Sequence, residues 1–195
     1  YKLSQESIFA SYREIATNSP IDITLYNIPL FANPIEFETL LRLAECEKII
    51  GIKDSSGDLA AMTRRIGAIH PQRPGFLFMT GWDAVLVPML MAGCQGGVHA
   101  PSGIVPEITR SIYDLTTQKK FDEAFVLQKQ LLKLFDSMFD AADFPEGFRS
   151  AIDLRGFNFG KGRQPLTKQQ STALATAAEK TSMLIQQVLS TLVAH

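Results

Sequence analysis

Long apolar runs, an excess of basic charge and clustered cysteines are all missing from this chain of 195 residues. No hydrophobic stretch approaches the roughly 20 residues that span a bilayer, and the polar opening residues do not read as a signal peptide. Nineteen Lys and Arg stand against 20 Asp and Glu, for a net charge of −1. That balance offers no electrostatic footprint for nucleic acid or an anionic membrane. The two cysteines, Cys46 and Cys94, are far apart. They suit reduced, buried thiols in a cytoplasmic protein rather than a disulfide framework. The three histidines, His70, His99 and His195, are scattered, and neither cysteine has a ligand at zinc-finger spacing; no metal centre is expected. A P-loop, a dinucleotide fingerprint, an internal repeat and a low-complexity segment are also absent.

The chain does have a hydrophobic share of 46%, enough for one compact domain with a sizeable core, and a strand–helix alternation. Ile21 to Asn27 is a β-rich run closed by Pro29. Pro34 opens a helix with apolar spacing through Phe37, Leu40, Leu41 and Ala44. Ile49 to Lys53 is a second strand, and Asp58 to Ile69 a helix with Ser56 or Gly57 near its cap. Gly75 to Gly81 is a third strand, Ala84 to Ala92 a helix in spite of Pro88, Gly96 to Ala100 a short fourth strand, and Pro106 begins a helix through Leu115. The strands are apolar on both faces, as in a parallel sheet covered by helices. The last third is helical: Phe121, Ala124, Phe125, Gln128, Leu131, Leu132, Phe135, Met138 and Phe139 recur at helical spacing, as a core or subunit face. Phe157 to Pro165 reads as a loop and Ser171 to Val193 as a final helix.

One residue stands out. Lys53 ends the apolar run Ile49-Ile50-Gly51-Ile52, just before a polar turn. An ammonium at the tip of a buried strand leaves water at a cost. Desolvation then favours the neutral amine, the form that attacks a carbonyl to make a Schiff base. The competing reading is a lysine that merely snorkels at a strand end.

Parallel α/β folds carry their chemistry at the C-terminal ends of the strands. Those ends offer Tyr26 and Asn27, then Lys53, then Thr80, Gly81, Trp82 and Asp83, then His99, Ala100 and Ser102. Tyr26 and Lys53 end neighbouring strands, so their side chains can converge. A phenol beside a Schiff-base nitrogen can shuttle protons, although a buried tyrosine usually just finds a hydrogen-bond partner.

Leu25-Tyr26-Asn27-Ile28-Pro29, followed by Gly51-Ile52-Lys53-Asp54-Ser55-Ser56-Gly57, resembles the dihydrodipicolinate synthase/N-acetylneuraminate lyase family. Thr80-Gly81-Trp82-Asp83, the Gly96-Gly97 pair and Arg163-Gln164-Pro165 are similar to further family signatures, in the same order along nearly the whole chain. The resemblance implies a TIM (β/α)8 barrel with a C-terminal helical extension. Here it covers the second half of the barrel, four β/α units in residues 1–117, and the extension in residues 118–195. It implies a class I aldolase or lyase acting on pyruvate or a related 2-oxo acid, with Lys53 as the Schiff-base lysine and Tyr26 as the proton relay. Gly81, His99 and Ala100 would line the substrate, and Tyr1 would fall where the family carries aromatics at the end of the fourth strand. Neither a metal nor an organic cofactor is implied, because the lysine itself becomes the electron sink. Homodimers or homotetramers are the implied assemblies.

Departures from the family pattern narrow this. The family's first four β/α units, with the motif that binds the keto-acid carboxylate, have no counterpart here, so the chain reads as part of a longer fold. Phe31 stands where dihydrodipicolinate synthases place an arginine to grip a dicarboxylic partner, which argues against lysine biosynthesis. Ala84 and Ala100 replace polar residues of sialic-acid lyases, which argues against that sugar. Candidate substrates include 2-keto-3-deoxy sugar acids and 4-hydroxy-2-oxoglutarate, between which the sequence does not choose. His99 suits either a contact to an acceptor hydroxyl or carboxylate, or a packed, hydrogen-bonded role. The alternative is a catalytically inactive half-barrel serving as a scaffold or oligomerisation module. A barrel that uses Lys53 only as a fixed charge is less favoured, because no carboxylate partner for it is evident in the sequence.

Overall fold

A computed structural model describes residues 2–193, the side chain of residue 193 excepted. Contacts divide the chain into two compact units, Tyr1–Val98 and His99–His195.

The first unit is a four-stranded parallel sheet in the order β1-β2-β3-β4, with helices on one face. Ser4 caps α1 (Gln5–Asn18), its hydroxyl accepting from the Ser7 amide. β1 (Ile23–Asn27) leads to α2 (Phe37–Ala44) and β2 (Ile49–Asp54). α3 (Leu59–Ile69) follows. Its cap is Asp58, directly after the expected Ser56–Gly57, and its carboxylate accepts from the Ala61 amide at 2.8 Å; a carboxylate also complements the helix dipole. β3 (Leu77–Thr80) runs into a 3-10 turn at Asp83–Val85 and then α4 (Leu86–Met91). Pro88 sits in the first turn of α4, where its missing N–H costs no helical bond.

The fourth strand is shorter than expected. β4 is only Gly96–Gly97, although the Val98 amide still donates to Thr80 O at 2.9 Å. His99 and Ala100 lie beyond it, and Pro101–Gly103 is a 3-10 turn. The expectation of two covered faces also fails. Leu25, Asn27, Ile52, Asp54, Phe78 and Thr80 are buried, whereas the alternating residues Thr24, Tyr26, Lys53, Leu77 and Met79 are exposed or half-buried. Helices α1, α2 and α3 bring Ile8, Phe9, Leu40, Leu43, Met62 and Ile66 against the first set. With four strands the sheet does not close on itself, so its second face is open, although its residues are the kind that fill a barrel interior.

The second unit is helical: α5 (Pro106–Thr117), α6 (Phe121–Phe139), α7 (Glu146–Leu154) and α8 (Lys168–Val193). α5, grouped by sequence with the barrel half, clusters with the helices that follow it. Leu127, Leu131, Leu134, Phe135 and Met138 of α6 are buried, and Phe135 meets the Phe148 ring of α7 at 5.7 Å between centroids. α8 begins three residues before the expected Ser171, because Thr167 and Gln170 cap it reciprocally: the Gln170 amide donates to Thr167 Oγ1 at 3.2 Å, and the Thr167 amide to Gln170 Oε1 at 2.9 Å.

Candidate active site

Three parallel strands in register set the site. Tyr26 pairs with Lys53, and Lys53 with Met79; one residue on, Asn27 pairs with Asp54 and Asp54 with Thr80. Side chains alternate across a strand, so Tyr26 and Lys53 share the open face while Asn27 and Asp54 point beneath the helices. The Lys53 Nζ lies 4.1 Å from the centroid of the Tyr26 ring, a distance at which the negative ring face attracts a cation. Lys53 is half-buried and Tyr26 is 44% exposed. The enclosed amine expected from the sequence is therefore open on one side, because the sheet has only these four strands to wall it.

The end of β3 is shaped around the lysine. A side chain at Gly81 would collide with Ser55 Oγ and come within 2.6 Å of Lys53 Cε. Gly81 is thus the residue that lets β3 close against the lysine stem. Gly57 takes a left-handed φ of +75° against the Trp82 ring, which turns the chain from β2 towards α3. Ser55 Oγ is buried and has no hydrogen-bond partner among the described residues.

Asp83 is a neighbour whose role the sequence did not reveal. It is 2% exposed. Burial pushes its carboxyl up to about 7, against the pull of its own backbone N–H and of the Lys53 charge. A carboxyl that feels Lys53 therefore exists, contrary to the expectation that none was evident. Its signal was present in Thr80-Gly81-Trp82-Asp83.

Beneath the sheet the Asp54 carboxylate is 1% exposed and ion-paired with Arg65 of α3, itself 7% exposed. It accepts from Asn27 Nδ2 at 2.6 Å, the Ser56 amide at 2.8 Å and the Ser56 hydroxyl. Its charge reaches Cys94, whose thiol is pushed up to about 12, first by burial and then by Asp54. Both cysteines are free.

The other expected site residues are not brought to this cluster by the first unit. His99, half-buried, and Ala100, exposed, belong to the second unit. Tyr1 lies outside the described residues. Phe31, at the position noted for its missing arginine, is 62% exposed on the loop after β1.

Parallel β/α units with a lysine and a tyrosine side by side at the strand ends define a class of barrel with an amine at its mouth. Within that class the assignment is direct: the model of the Dihydrodipicolinate synthetase family matches residues 1–184, and the chain belongs to that family. It is 31% identical over 157 residues to an uncharacterized DapA-like lyase of Thermococcus onnurineus, covering 80% of this chain and 54% of that protein. It is also 31% identical over 167 residues to the 4-hydroxy-tetrahydrodipicolinate synthase of Flavobacterium psychrophilum, covering 85% and 56%. The chain thus spans about half the length of these curated relatives. Among solved structures, dihydrodipicolinate synthase DapA-2 of Bacillus anthracis superposes with a TM-score of 0.81 at 28% identity, over 91% of this chain and 61% of that one. The 4-hydroxy-tetrahydrodipicolinate synthase of Methylacidiphilum fumariolicum SolV gives 0.82 at 27%, over 97% and 63%. The fold is accordingly a partial dihydrodipicolinate synthase-type TIM barrel with its helical extension.

Proposed function

We propose that the full-length protein is a class I aldolase or lyase of pyruvate or a related 2-oxo acid, with Lys53 as its Schiff-base residue. The observation that carries this is the Lys53 amine over the Tyr26 ring, at 4.1 Å, on the open face at the strand ends, in a chain of this family. The Lys53 nitrogen adds to the C2 carbonyl, and the carbinolamine loses water to give an iminium. Loss of a proton from C3 gives an enamine, which forms a C–C bond to an aldehyde; the reverse sequence cleaves that bond. Water then releases the 2-oxo acid and frees the amine. The Tyr26 hydroxyl passes the protons of carbinolamine formation and C–C cleavage. Ser55 Oγ, buried beside the lysine stem without a partner, is satisfied by a polar group of the bound substrate.

Gly81 shapes the space around the lysine stem, and the family resemblance suggests Tyr1, His99 and Ala100 as further substrate-binding residues. The substrates we favour are 2-keto-3-deoxy sugar acids and 4-hydroxy-2-oxoglutarate. The relatives' names support a lyase in general, Phe31 argues against lysine biosynthesis and Ala84 against a sialic-acid partner. We further propose a homodimer or homotetramer in the cytoplasm; among the described residues no helix is long and apolar enough to cross a membrane.

The test is pyruvate release from these two substrate classes by the full-length protein, measured with a coupled reductase. Turnover that falls by about 10²–10⁴ in Tyr26→Phe, in a protein with an unchanged circular dichroism spectrum, supports the reading. Equal turnover by Tyr26→Phe removes the tyrosine from it.

A further inference from the structure

Four residues beneath the sheet close a ring of hydrogen bonds. The Ile35 amide donates to Asn27 Oδ1 at 2.9 Å. Asn27 Nδ2 donates to Asp54 Oδ2 at 2.6 Å. Arg65 Nη1 pairs with the same Asp54 oxygen, and Arg65 Nη2 donates to Ile35 O at 3.1 Å, returning to the starting residue. Every member is buried: Ile35, Asn27 and Asp54 are each 1% exposed and Arg65 7%. The ring joins β1, the loop after it, β2 and α3.

An ion pair in such a place is weak evidence for stability, since well-packed apolar residues often do as well. What the ring does accomplish is geometric. Asn27 directly follows Tyr26, and Asp54 directly follows Lys53. The two pairs are in register, Tyr26 with Lys53 and Asn27 with Asp54. A bond between Asn27 and Asp54 on the helix face therefore fixes the strand ends from which Tyr26 and Lys53 rise on the other face. Backbone bonds extend the clamp: the Ser55 amide donates to Asn27 O at 2.8 Å and the Gly81 amide to Asp54 O at 2.7 Å. The arginine suits its place because its planar fork reaches a carboxylate and a carbonyl together, which an ammonium on a flexible stem does not.

We infer that Asn27, Asp54 and Arg65 are positioning residues: their closed ring through Ile35 holds the Lys53 amine against Tyr26 in the geometry that Schiff-base chemistry needs. This rests on the proposed function above, and it deepens that reading by naming what aligns its two central groups.

The experiment compares Arg65→Met, Arg65→Lys and Asn27→Ser with wild type, in the full-length protein. It reads kcat and KM for aldol cleavage, together with the rate at which reductive methylation by formaldehyde labels Lys53, followed by peptide mass. Arg65→Lys keeps the charge and loses the fork. Asn27→Ser opens the ring without stranding a buried charge, and so stands in if the arginine variants do not fold.

The expected result is a drop in kcat on the order of tenfold to a hundredfold in every folded variant, Arg65→Lys included. KM changes less than kcat, and Lys53 is methylated several-fold faster as it loses its seat on the ring. Wild-type kcat in folded Arg65→Met or Asn27→Ser overturns the inference. So does full rescue by Arg65→Lys, which would reduce the role to charge. If wild type itself cleaves no aldol substrate and forms no pyruvate adduct, the proposed function fails separately. The methylation rate then decides: unchanged labelling of Lys53 overturns the ring's positioning role, and faster labelling sustains it.

Discussion

The two compact units differ in how they bury polar groups. In the second unit short-range bonds predominate: Thr116 Oγ1 donates to Ile112 O at 2.7 Å and Ser137 Oγ to Leu134 O at 2.8 Å, each within its own helix, and the Ser137 and Thr181 hydroxyls meet at 3.1 Å between α6 and α8. In the first unit Asn27, Asp54 and Arg65 are joined to one another and to the Ile35 backbone across β1, β2 and α3, with local bonds from Ser56 to Asp54 besides, while Ser55 Oγ and Arg65 Nε have no partner among the described residues. Local satisfaction is what a helical scaffold needs to stand. Long-range buried polar networks fix geometry at a particular spot, and here that spot is the back of the strand ends carrying Tyr26 and Lys53.

That contrast can be broken by substitution. The largest effect on stability is expected from Asp54→Ala, which strands the Arg65 guanidinium in the interior; urea unfolding should show a loss of about 3–5 kcal/mol. A loss below about 1 kcal/mol would mean that the network is not cooperative and that the contrast between the units is only apparent.

Asp83 sharpens the comparison through pH. Its folded value, about 7, lies above the ordinary 3.8. The folded state therefore holds a proton that the unfolded chain has released between those values. The associated stabilisation is complete below about pH 4 and is lost as pH rises through about 7. Asp83→Asn should flatten that fall and leave the variant more stable than wild type at pH 8, by at most about 4 kcal/mol. Parallel stability curves for the two proteins would contradict the assignment. The second unit offers no counterpart among the described groups with a resolved shift: Arg110, whose value is raised by its hydrogen bond to Asp114, lies on the surface.

Smaller effects follow from packing and from local bonds. Gly81→Ala crowds Ser55 and the Lys53 stem and should cost about 1–3 kcal/mol, with slower pyruvate trapping as the lysine shifts; an unchanged melting temperature would show that the β3 end has slack. Ser137→Ala, in the helical unit, removes bonds to Leu134 O and to Thr181 Oγ1 at 3.1 Å and should cost about 1 kcal/mol. A cost equal to that of Asp54→Ala would erase the distinction between the units.

The meeting of Tyr26 and Lys53 was legible because strand alternation and parallel register need only local sequence: two apolar runs of the right length bring their last residues side by side. The same alternation places Asp54 on the opposite face. Arg65 was not legible, because it joins the network from a helix, through a fork spanning strand, loop and helix, and nothing in its surroundings in sequence marks it as buried. Helix α7 was missed for a related reason. Glu146–Leu154 is short, and its start has no side-chain cap; its helicity is secured by burying Phe148 and Ala151 rather than by local signals. The expected start of α8 falls three residues late, because the Thr167–Gln170 capping box goes unread beneath the polar composition before Ser171. The open face of the sheet misled in the other direction, since residues suited to a closed barrel interior read as buried whether or not the rest of the barrel is at hand.

The most direct measurement is borohydride reduction of the full-length protein in the presence of pyruvate, followed by intact mass and peptide mapping. A single pyruvate-derived adduct is expected, located on Lys53 and absent from Lys53→Ala. No adduct, or one that persists in Lys53→Ala, would contradict the assignment of this amine as the Schiff-base nucleophile.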